Sequence, residues 1–260
     1  MKQKNNVLVI GGAGGIGAAC CMALAADWTP IVADLDEQAA SAVAGDCGGR
    51  AYRCDVSDAA QLPALMDRIE AECGPVDAMV FAAGVIPAAA GPKSIDAVEW
   101  DRVFTVNARG AYLAAREAGS RMAARGRGAI VLVSSIAGSF ATPHLAYGPS
   151  KAALHNLAGA LAVYWGRQGV RVNSVSPGPV RTPAIEASYA RGERDPRVMG
   201  QQTALGRIIA SSEVAGPIAF LLSDAASAIT GTDIVVDAGT TATLGWNMFG
   251  GAEAVLRGAQ

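Results

Sequence analysis

The chain has 260 residues, with 21 Lys and Arg against 23 Asp and Glu, and its formal net charge is −2. Hydrophobic residues make up 51% and charged residues 17%, so the chain has enough apolar surface to fold, and intrinsic disorder is excluded. The near-neutral charge, without basic clusters, argues against nucleic acid as the main partner.

Short β-branched runs alternate along the chain with longer Ala-rich segments that carry a helical pattern. The predicted strands cover residues 7–10, 31–33, 51–53, 78–81, 130–134, 170–175 and 233–236. The predicted helices lie near residues 15–27, 36–45, 58–73, 96–125, 148–168 and 212–223. Strands that are apolar on both sides and alternate with helices are typical of right-handed β-α-β units. The order predicts an α/β fold in a single domain over 1–260, with a doubly wound, seven-stranded parallel sheet and helices on both faces.

The segment at about 183–209 departs from this alternation, because it is rich in charge and has little strand pattern. Long irregular insertions in compact domains are often functional lids. A substrate lid is therefore one expectation, and a solvated pair of surface helices is the alternative.

Cysteine content and apolar runs bear on where the protein works. The five cysteines form no C-x-x-C pair, which predicts reduced thiols in a cytoplasmic protein. The apolar stretch over 7–26 resembles a secretory signal, but its five glycines favour a strand, a turn and a helix instead. No other apolar run approaches the ~18 residues that a membrane span needs, so no membrane partner is expected.

A glycine-rich stretch follows the first predicted strand directly and opens a helix. Gly12, Gly14 and Gly17 match G-x-G-x-x-G, and Gly11, Gly15 and Gly17 match the variant G-x-x-x-G-x-G. Glycines there let a pyrophosphate approach the N–H groups at the helix N-terminus. The position between a strand and a helix predicts a dinucleotide site.

An acidic residue, Asp34, ends the second predicted strand. A carboxylate at this point accepts hydrogen bonds from both ribose hydroxyls of adenosine and repels a 2′-phosphate. Since no Arg or Lys stands beside it, NAD is the predicted cofactor rather than NADP. The alternative role for Asp34 or Asp36 is to cap the following helix.

Tyr147 and Lys151 are four residues apart, and on a helix they share one face. A nearby ammonium favours the phenolate form of a tyrosine, which suits it for proton exchange. Ser135 lies at the end of the fifth predicted strand, where its hydroxyl could bind a substrate oxygen. Together with the glycine loop, these residues point to an enzyme.

At this point the chain resembles the short-chain dehydrogenase/reductase family, over nearly its whole length from Val7 to Gly239. The motifs that carry the resemblance are IGGAGGIG (10–17), CDV (54–56), AAG (82–84), VNARG (106–110), SSIAG (134–138), YGPSK (147–151) and NSVSPGPVRTP (173–183). The resemblance implies a Rossmann-type fold and nicotinamide chemistry, and members of the family are commonly homotetramers.

The resemblance also implies roles for individual residues. The catalytic tetrad maps to Asn107, Ser135, Tyr147 and Lys151: Tyr147 exchanges the proton, Lys151 also holds the nicotinamide ribose, Ser135 orients the substrate oxygen, and Asn107 supports an ordered water. The implied cofactor-binding residues are Gly11, Gly15, Ile16, Gly17, Asp34, Asp55, Val56, Ala82, Ala83, Gly84, Tyr147, Lys151, Pro177, Gly178, Val180 and Thr182. No metal is expected.

Four features depart from the family pattern. Ile10 stands where Thr is usual, and Phe81 stands where Asn is usual. Ser135 lies 12 residues before Tyr147 where 13 is more usual, so Ser134 is an alternative to it. Residues 108–109, Ala and Arg, replace an apolar pair, and no function is attached to them.

The expected partner is a small alcohol or ketone, and the leading function is NAD-dependent interconversion of a secondary alcohol, cyclic or apolar, and its ketone. The alternatives are a 3-oxoacyl-thioester reductase and a non-catalytic nucleotide-binding module. His144 is expected to face water in its loop rather than act as a second base. The residues expected to line the substrate pocket are Ile136, His144, Ile185, Met199, Trp246, Met248 and Phe249.

Overall fold

The structure is a computed structural model that describes residues 4–89, 91–192 and 195–251. The main sheet consists of the parallel strands β1 (Asn5–Ile10), β2 (Trp28–Asp34), β3 (Arg50–Arg53), β4 (Val76–Phe81), β5 (Gly128–Val133), β6 (Val170–Pro177) and β9 (Asp233–Val236); β7 (Val180–Arg181) and β8 (Ile209–Ala210) form a separate small sheet. The order of these seven strands across the sheet is β3-β2-β1-β4-β5-β6-β9. The predicted doubly wound sheet is thereby confirmed, and each predicted strand falls within one observed strand or overlaps it.

Helices cover both faces of this sheet. They are α1 (Gly15–Leu24), α2 (Glu37–Cys47), α3 (Gln61–Cys73), α4 (Ala97–Phe104), α5 (Gly110–Ala124), α6 (Tyr147–Trp165), α7 (Pro183–Ala190), α8 (Pro196–Gln201), α9 (Ser211–Leu222) and α10 (Thr240–Thr243). One apolar cluster packs α3, α5 and α6 against the sheet, and a second packs α1, α2 and α9 against the other face.

The structure differs from the expected elements in two places. The single helix predicted over 96–125 contains a π-helical turn, Thr105–Arg109, between α4 and α5. A second, two-stranded sheet was not predicted; it pairs β7 (Val180–Arg181) with β8 (Ile209–Ala210). Between these short strands lie α7 and α8, so the segment over 183–209 contains a pair of helices; that it also serves as a substrate lid stays a prediction.

The strand order places the functional site. β1 has β2 on one side and β4 on the other, so the connections that leave β1 and β4 run in opposite directions across the sheet. Ligands in open α/β sheets bind beside the carboxyl ends of the strands at such a switch point. The glycine loop follows β1 and the AAG motif follows β4, so both motifs lie at this crevice.

Candidate active site

The glycine loop is built on close backbone contacts that exclude side chains. Gly11 has a φ of +77°, and a Cβ there would collide with the backbone of Ala83. A Cβ on Gly17 would collide with the carbonyl oxygen of Gly11. The loop therefore brings the end of β1 against the AAG motif and leaves the N-terminus of α1, which begins at Gly15, beside the crevice. Such a cradle of N–H groups fits a pyrophosphate.

Gly15 connects the loop to the segment that follows β6. A Cβ on Gly15 would lie 2.9 Å from Cβ of Thr182. Thr182 is in turn the N-cap of α7, because its hydroxyl oxygen accepts a hydrogen bond from the Ile185 N–H at 3.3 Å. Two motifs that are far apart in sequence thus meet at one end of the crevice.

Asp34 faces the glycine loop from the end of β2. Its Oδ2 accepts a hydrogen bond from the Ala13 N–H at 3.0 Å, and its Oδ1 accepts one from the Asp36 N–H at 3.2 Å. The cap of α2 is Asp36, whose Oδ1 accepts from the Ala39 N–H at 3.0 Å. The helix-capping role therefore falls to Asp36, and Asp34 lines the crevice.

The crevice is a cleft of about 440 Å³ beside β1, β2 and β4. Its lining residues are Gly11, Ala13, Gly14, Asp34, Leu35, Asp36, Ala39, Cys54, Asp55, Val56, Ala82, Ala83, Gly84, Val85 and Val106. The charged groups among these are three aspartates, and no Lys or Arg is among the lining residues of this cleft. The local charge is therefore negative.

Asp55 and Val56 occupy the end of the cleft next to β3. The Ser57 hydroxyl donates to Oδ1 of Asp55 at 2.6 Å and the Ser57 N–H donates at 2.8 Å, and these bonds hold the pKa of the Asp55 carboxyl below its usual value. Val56 is buried, and a Cβ on Gly110 would lie 3.1 Å from its Cβ. Hydrogen bonds from Ser57 and packing against Gly110 therefore fix the turn that contains Asp55 and Val56.

Tyr147 and Lys151 lie together at the start of α6. The Lys151 Nζ is 5.7 Å from the centroid of the Tyr147 ring, and it donates a hydrogen bond to the Val133 carbonyl at 2.8 Å. Lys151 is only 4% exposed, and burial lowers the pKa of its ammonium from 10.5 to about 8. The amine is therefore placed to change its protonation state near neutral pH.

Asn107 lies in the π-helical turn and is fully buried. Its Oδ1 accepts from the Val85 N–H at 2.8 Å, and its Nδ2 donates to the Val85 carbonyl at 3.1 Å and to Oγ of Ser150 at 3.0 Å. A Cβ on Gly84 would lie 3.4 Å from both the Asn107 Oδ1 and the Lys151 Nζ. The amide and the ammonium therefore flank the same glycine.

The two candidate serines have different surroundings. Ser134 is buried, and its hydroxyl donates to the Lys151 carbonyl at 2.8 Å. Ser135 is partly exposed, and its Oγ accepts from the Ala137 N–H at 3.1 Å. The Ser134 hydroxyl already donates its proton to a hydrogen bond within the protein, whereas the Ser135 hydroxyl only accepts one. Ser135 is therefore the better placed of the two to donate to a ligand.

Two departures from the family pattern turn out to be neighbours. Ile10 and Phe81 are register partners on β1 and β4, both are at most 1% exposed, and both belong to the same apolar cluster. The usual polar pair is therefore replaced by a packed apolar pair beneath the glycine loop.

Two residues that hold the site together, Ser150 and Arg109, were given no role from the sequence. Ser150 donates to the Tyr147 carbonyl at 2.7 Å and links Asn107 to α6, and its place inside YGPSK was a signal. Arg109, to which no function was attached, donates to the Ser57 carbonyl at 2.5 Å. His144, which was expected to face water, is instead partly buried: its Nδ1 lies 3.1 Å from the Pro87 carbonyl, and its ring stands edge-on to that of Tyr147 at 6.3 Å. No sequence pattern marks the last two contacts.

Two of the C-terminal residues expected at the substrate pocket are exposed in this chain. Trp246 is 50% exposed and Met248 is 81% exposed. The side chain of Phe249 lies outside the described residues, as do residues 193 and 194 of the expected lid.

Over the three described ranges, no helix is long and apolar enough to cross a membrane.

Comparison with known proteins agrees with this geometry. A family model described as enoyl-(acyl carrier protein) reductase matches residues 11–241. The chain is 37% identical to D-threitol dehydrogenase of Mycolicibacterium smegmatis over 90% of this chain and 92% of the relative. It is 39% identical to cis-4-hydroxycyclohexanecarboxylate dehydrogenase of Sinomonas cyclohexanicum over 90% and 96%, respectively.

Solved structures share the fold. One described as ribose-5-phosphate isomerase from Brucella melitensis 16M superposes with a TM-score of 0.93 at 39% identity, over 95% of this chain and 96% of the other. One described as ElxO with NADP bound has a TM-score of 0.87 at 25% identity, over 92% and 100%. With the glycine loop, the tyrosine–lysine pair and these matches in agreement, the chain belongs to the short-chain dehydrogenase/reductase family.

Proposed function

We propose that this protein is an NAD-dependent dehydrogenase that interconverts a secondary alcohol, cyclic or otherwise apolar, and its ketone. The observation that carries the proposal is the pairing of Tyr147 with a buried lysine beside the dinucleotide cleft. Both relatives named above are dehydrogenases of hydroxyl compounds, which supports the same chemistry here.

The proton steps follow from the residues of this chain. In the oxidation direction Tyr147 Oη accepts the proton of the substrate hydroxyl, and in reduction it returns a proton to the carbonyl oxygen. The charge of Lys151 favours the phenolate that this exchange requires, and the Ser135 hydroxyl orients the substrate oxygen. Asn107 connects the loop after β4 to α6, through its bonds to Val85 on one side and to Ser150 on the other. A bound nicotinamide dinucleotide supplies the acceptor or donor of hydride.

The cofactor site follows the lining of the cleft. The glycine loop, with Gly11, Gly15, Ile16 and Gly17, would hold the pyrophosphate, and Asp34 would bind the adenosine ribose. The remaining proposed contacts lie along the cleft and beyond β6: Asp55, Val56, Ala82, Ala83, Gly84, Tyr147, Lys151, Pro177, Gly178, Val180 and Thr182. Close packing at Gly11 and Gly17 supports this fit.

NAD is proposed over NADP because every charged group that lines the cleft is an aspartate. A 2′-phosphate carries close to two negative charges and would be repelled there. The NADP of ElxO is a property of that protein, which is 25% identical to this chain. Fluorescence titration with NADH and NADPH tests the assignment, and tighter binding of NADPH would overturn it.

Two other activities are less well supported. Reduction of a 3-oxoacyl thioester is related to the acyl-carrier chemistry in the description of the family model, but both relatives named above are dehydrogenases of hydroxyl compounds. An isomerisation, the activity named for the Brucella structure, needs no external hydride acceptor and would give the dinucleotide cleft no role. A non-catalytic nucleotide-binding module would not require the four residues of the catalytic tetrad, all of which are present in this chain.

We also propose a single catalytic domain with its substrate lid at about 183–209, in a cytoplasmic homotetramer. The exposed apolar side chains of Val163 and Tyr164 on α6, at 85% and 72%, support association, and so do those of Trp246 and Met248 near the C-terminus. Light scattering coupled to size-exclusion chromatography measures the oligomeric state, and a monomer of 26.3 kDa would contradict it.

A screen of secondary alcohols with NAD, monitored by the absorbance of NADH, tests the activity itself. Cyclic alcohols and polyols form the first panel, because the relatives' names contain both classes. Turnover of at least one secondary alcohol is expected, and it should depend on Tyr147. If NADH binds but neither alcohols nor ketones are turned over, the enzyme assignment is wrong and a non-catalytic nucleotide-binding module becomes the better interpretation.

A further inference from the structure

A second cavity, of about 470 Å³, lies between the small sheet and α8. Its lining residues are Arg181, Pro196, Arg197, Gly200, Gly206, Arg207, Ile208, Ala210 and Glu213, and none of them lines the dinucleotide cleft. Three guanidinium groups and one carboxylate give this lining an excess of two positive charges, whereas the whole chain carries −2. The charge of this cavity is thus opposite to that of the cleft.

One of the three arginines is held in place. The Arg207 guanidinium forms two parallel hydrogen bonds of 2.8 Å with the Glu213 carboxylate, which also accepts from the Ala210 N–H at 2.8 Å. The loop beneath it is fixed, since the buried Thr203 hydroxyl oxygen accepts from the Arg207 N–H at 3.0 Å. The Arg207–Glu213 pair is therefore preorganised and carries no net charge, and the excess positive charge of the lining lies on Arg181 and Arg197.

The other two arginines are free to turn toward a ligand. The Arg181 Nε lies 3.4 Å from the Glu186 carboxylate, and the Arg197 Nε lies 3.7 Å from the Asp195 carboxylate. Among the described residues, neither side chain makes a hydrogen bond, and their side chains are 63% and 89% exposed. Exposed ion pairs of this kind are weak, so an anion with better hydrogen-bond geometry displaces them readily.

We propose that this cavity binds a small organic dianion, either a phosphate monoester or a dicarboxylate. Planar guanidinium groups bind both kinds of anion through paired N–H donors. The volume lies within the range of small-molecule sites, which start at about 300 Å³, and exceeds what a bare inorganic ion fills. Arg181 also precedes Thr182, which packs against the glycine loop, so a bound anion would act on a strand that reaches the cofactor site.

Isothermal titration calorimetry with phenyl phosphate and with phthalate tests the proposal. The two probes distinguish binding of a phosphate monoester from binding of a dicarboxylate. The protein is titrated with and without saturating NADH, because an anion could also bind at the glycine loop. We expect one of the two probes to bind with a Kd of about 1 mM or tighter at low salt, and to bind more weakly as salt screens the charges.

The matched variants are the double substitution Arg181→Gln with Arg197→Gln and the control Arg68→Gln, whose arginine is exposed on α3 outside the cavity. The double variant should bind the probe at least about 10-fold more weakly, and the control should bind as the parent does. Circular dichroism checks that all of them fold. The proposal is overturned if neither probe binds or if the double variant binds the probe as tightly as the parent does. It is also overturned if saturating NADH abolishes probe binding to the same extent in the parent and in the double variant, because the probe then binds at the glycine loop. Since the titration needs no turnover, a failure here leaves the dehydrogenase assignment standing.

Discussion

The Lys151 ammonium lies 5.7 Å from the centroid of the Tyr147 ring, one helical turn further along α6. A cation within about 6 Å of an aromatic ring is attracted to it and also stabilises a negative charge on the ring oxygen. The hydrogen bond from Lys151 to the Val133 carbonyl connects this pair to the end of β5. The helix and the sheet together therefore fix the position of the proton-exchanging groups relative to the crevice.

Tyr147→Phe removes the only hydroxyl proposed to exchange a proton with the substrate. We expect kcat to fall by about 100-fold to 10,000-fold, the usual contribution of a general acid or base. Tyr164→Phe is the control, since Tyr164 lies on the same helix and is 72% exposed. Turnover by the Tyr147 variant within a few-fold of the parent would remove this residue from the mechanism.

The depressed pKa of Lys151 predicts a dependence of stability on pH. The folded protein releases this proton near pH 8, whereas the unfolded chain holds it until about 10.5. Between these values the unfolded chain binds more protons, so the contribution of Lys151 to stability rises with pH. Lys151→Met removes that dependence, and the variant should lose about 2 kcal/mol relative to the parent between pH 7 and pH 9.5.

Urea unfolding of both proteins across this range measures the difference. Other groups also contribute to the pH dependence of unfolding: burial raises the pKa of the Cys20 thiol from 9.0 to about 12, so the thiol loses its proton in this range only in the unfolded chain. These groups are the same in both proteins, so their contributions cancel in the difference between variant and parent. The substitution also leaves the Val133 carbonyl without its donor, a cost that does not vary with pH. A difference between variant and parent that stays constant from pH 7 to pH 9.5 would contradict the buried position of the amine.

Asp34→Asn tests the origin of the cofactor preference. The amide keeps an acceptor for the Ala13 N–H but loses the charge that repels a 2′-phosphate. We expect the ratio of the Kd values for NADPH and NADH to fall by about 10-fold, chiefly through tighter binding of NADPH. Asp46→Asn, at an exposed position near the end of α2, is the control and should leave the ratio unchanged. If both variants keep the parent's ratio, Asp34 does not set the preference.

The sheet was predictable from the sequence because buried parallel strands leave a strong local pattern. The seven runs stand out as short and apolar, and the turn chemistry at the glycine loop marks the first crossover. The pair β7–β8 was not predictable on this basis, since each strand has only two residues and is formed by pairing across α7 and α8. The π-helical turn at Thr105–Arg109 was missed because hydrophobic periodicity does not register one extra residue in a helical turn.

The site shows the same division between local and long-range information. The spacing of Tyr147 and Lys151 needs only the helical repeat, so it was visible in the sequence. That Ile10 and Phe81 form one packed pair depends on β1 lying beside β4, a contact that no local pattern encodes. The contact between Arg109 and Ser57 is of the same kind, since it joins a helix to a turn 52 residues earlier.

The two neighbouring serines should respond oppositely to substitution. Ser134→Ala removes a buried hydroxyl that donates to the Lys151 carbonyl, so it should lower the free energy of unfolding by about 0.5–1.5 kcal/mol and change kcat little. Ser135→Ala should leave stability within about 0.5 kcal/mol and lower kcat by about 10-fold or more. Urea unfolding and steady-state kinetics on both variants measure this. A larger loss of kcat in the Ser134 variant would reverse the assignment.

His144 connects the loop after β4 to the catalytic helix, and isosteric variants test that role. A carbonyl oxygen only accepts, so the Nδ1 that lies 3.1 Å from the Pro87 carbonyl carries the proton. His144→Asn keeps an N–H donor near the position of Nδ1, whereas His144→Gln places its donor near the other ring nitrogen. We therefore expect the KM for the alcohol to rise by about 5-fold in the Gln variant and to stay near the parent's in the Asn variant, with kcat changed less than KM in both. This split separates positioning of the substrate wall from proton transfer, because loss of a second base would lower kcat in both variants alike.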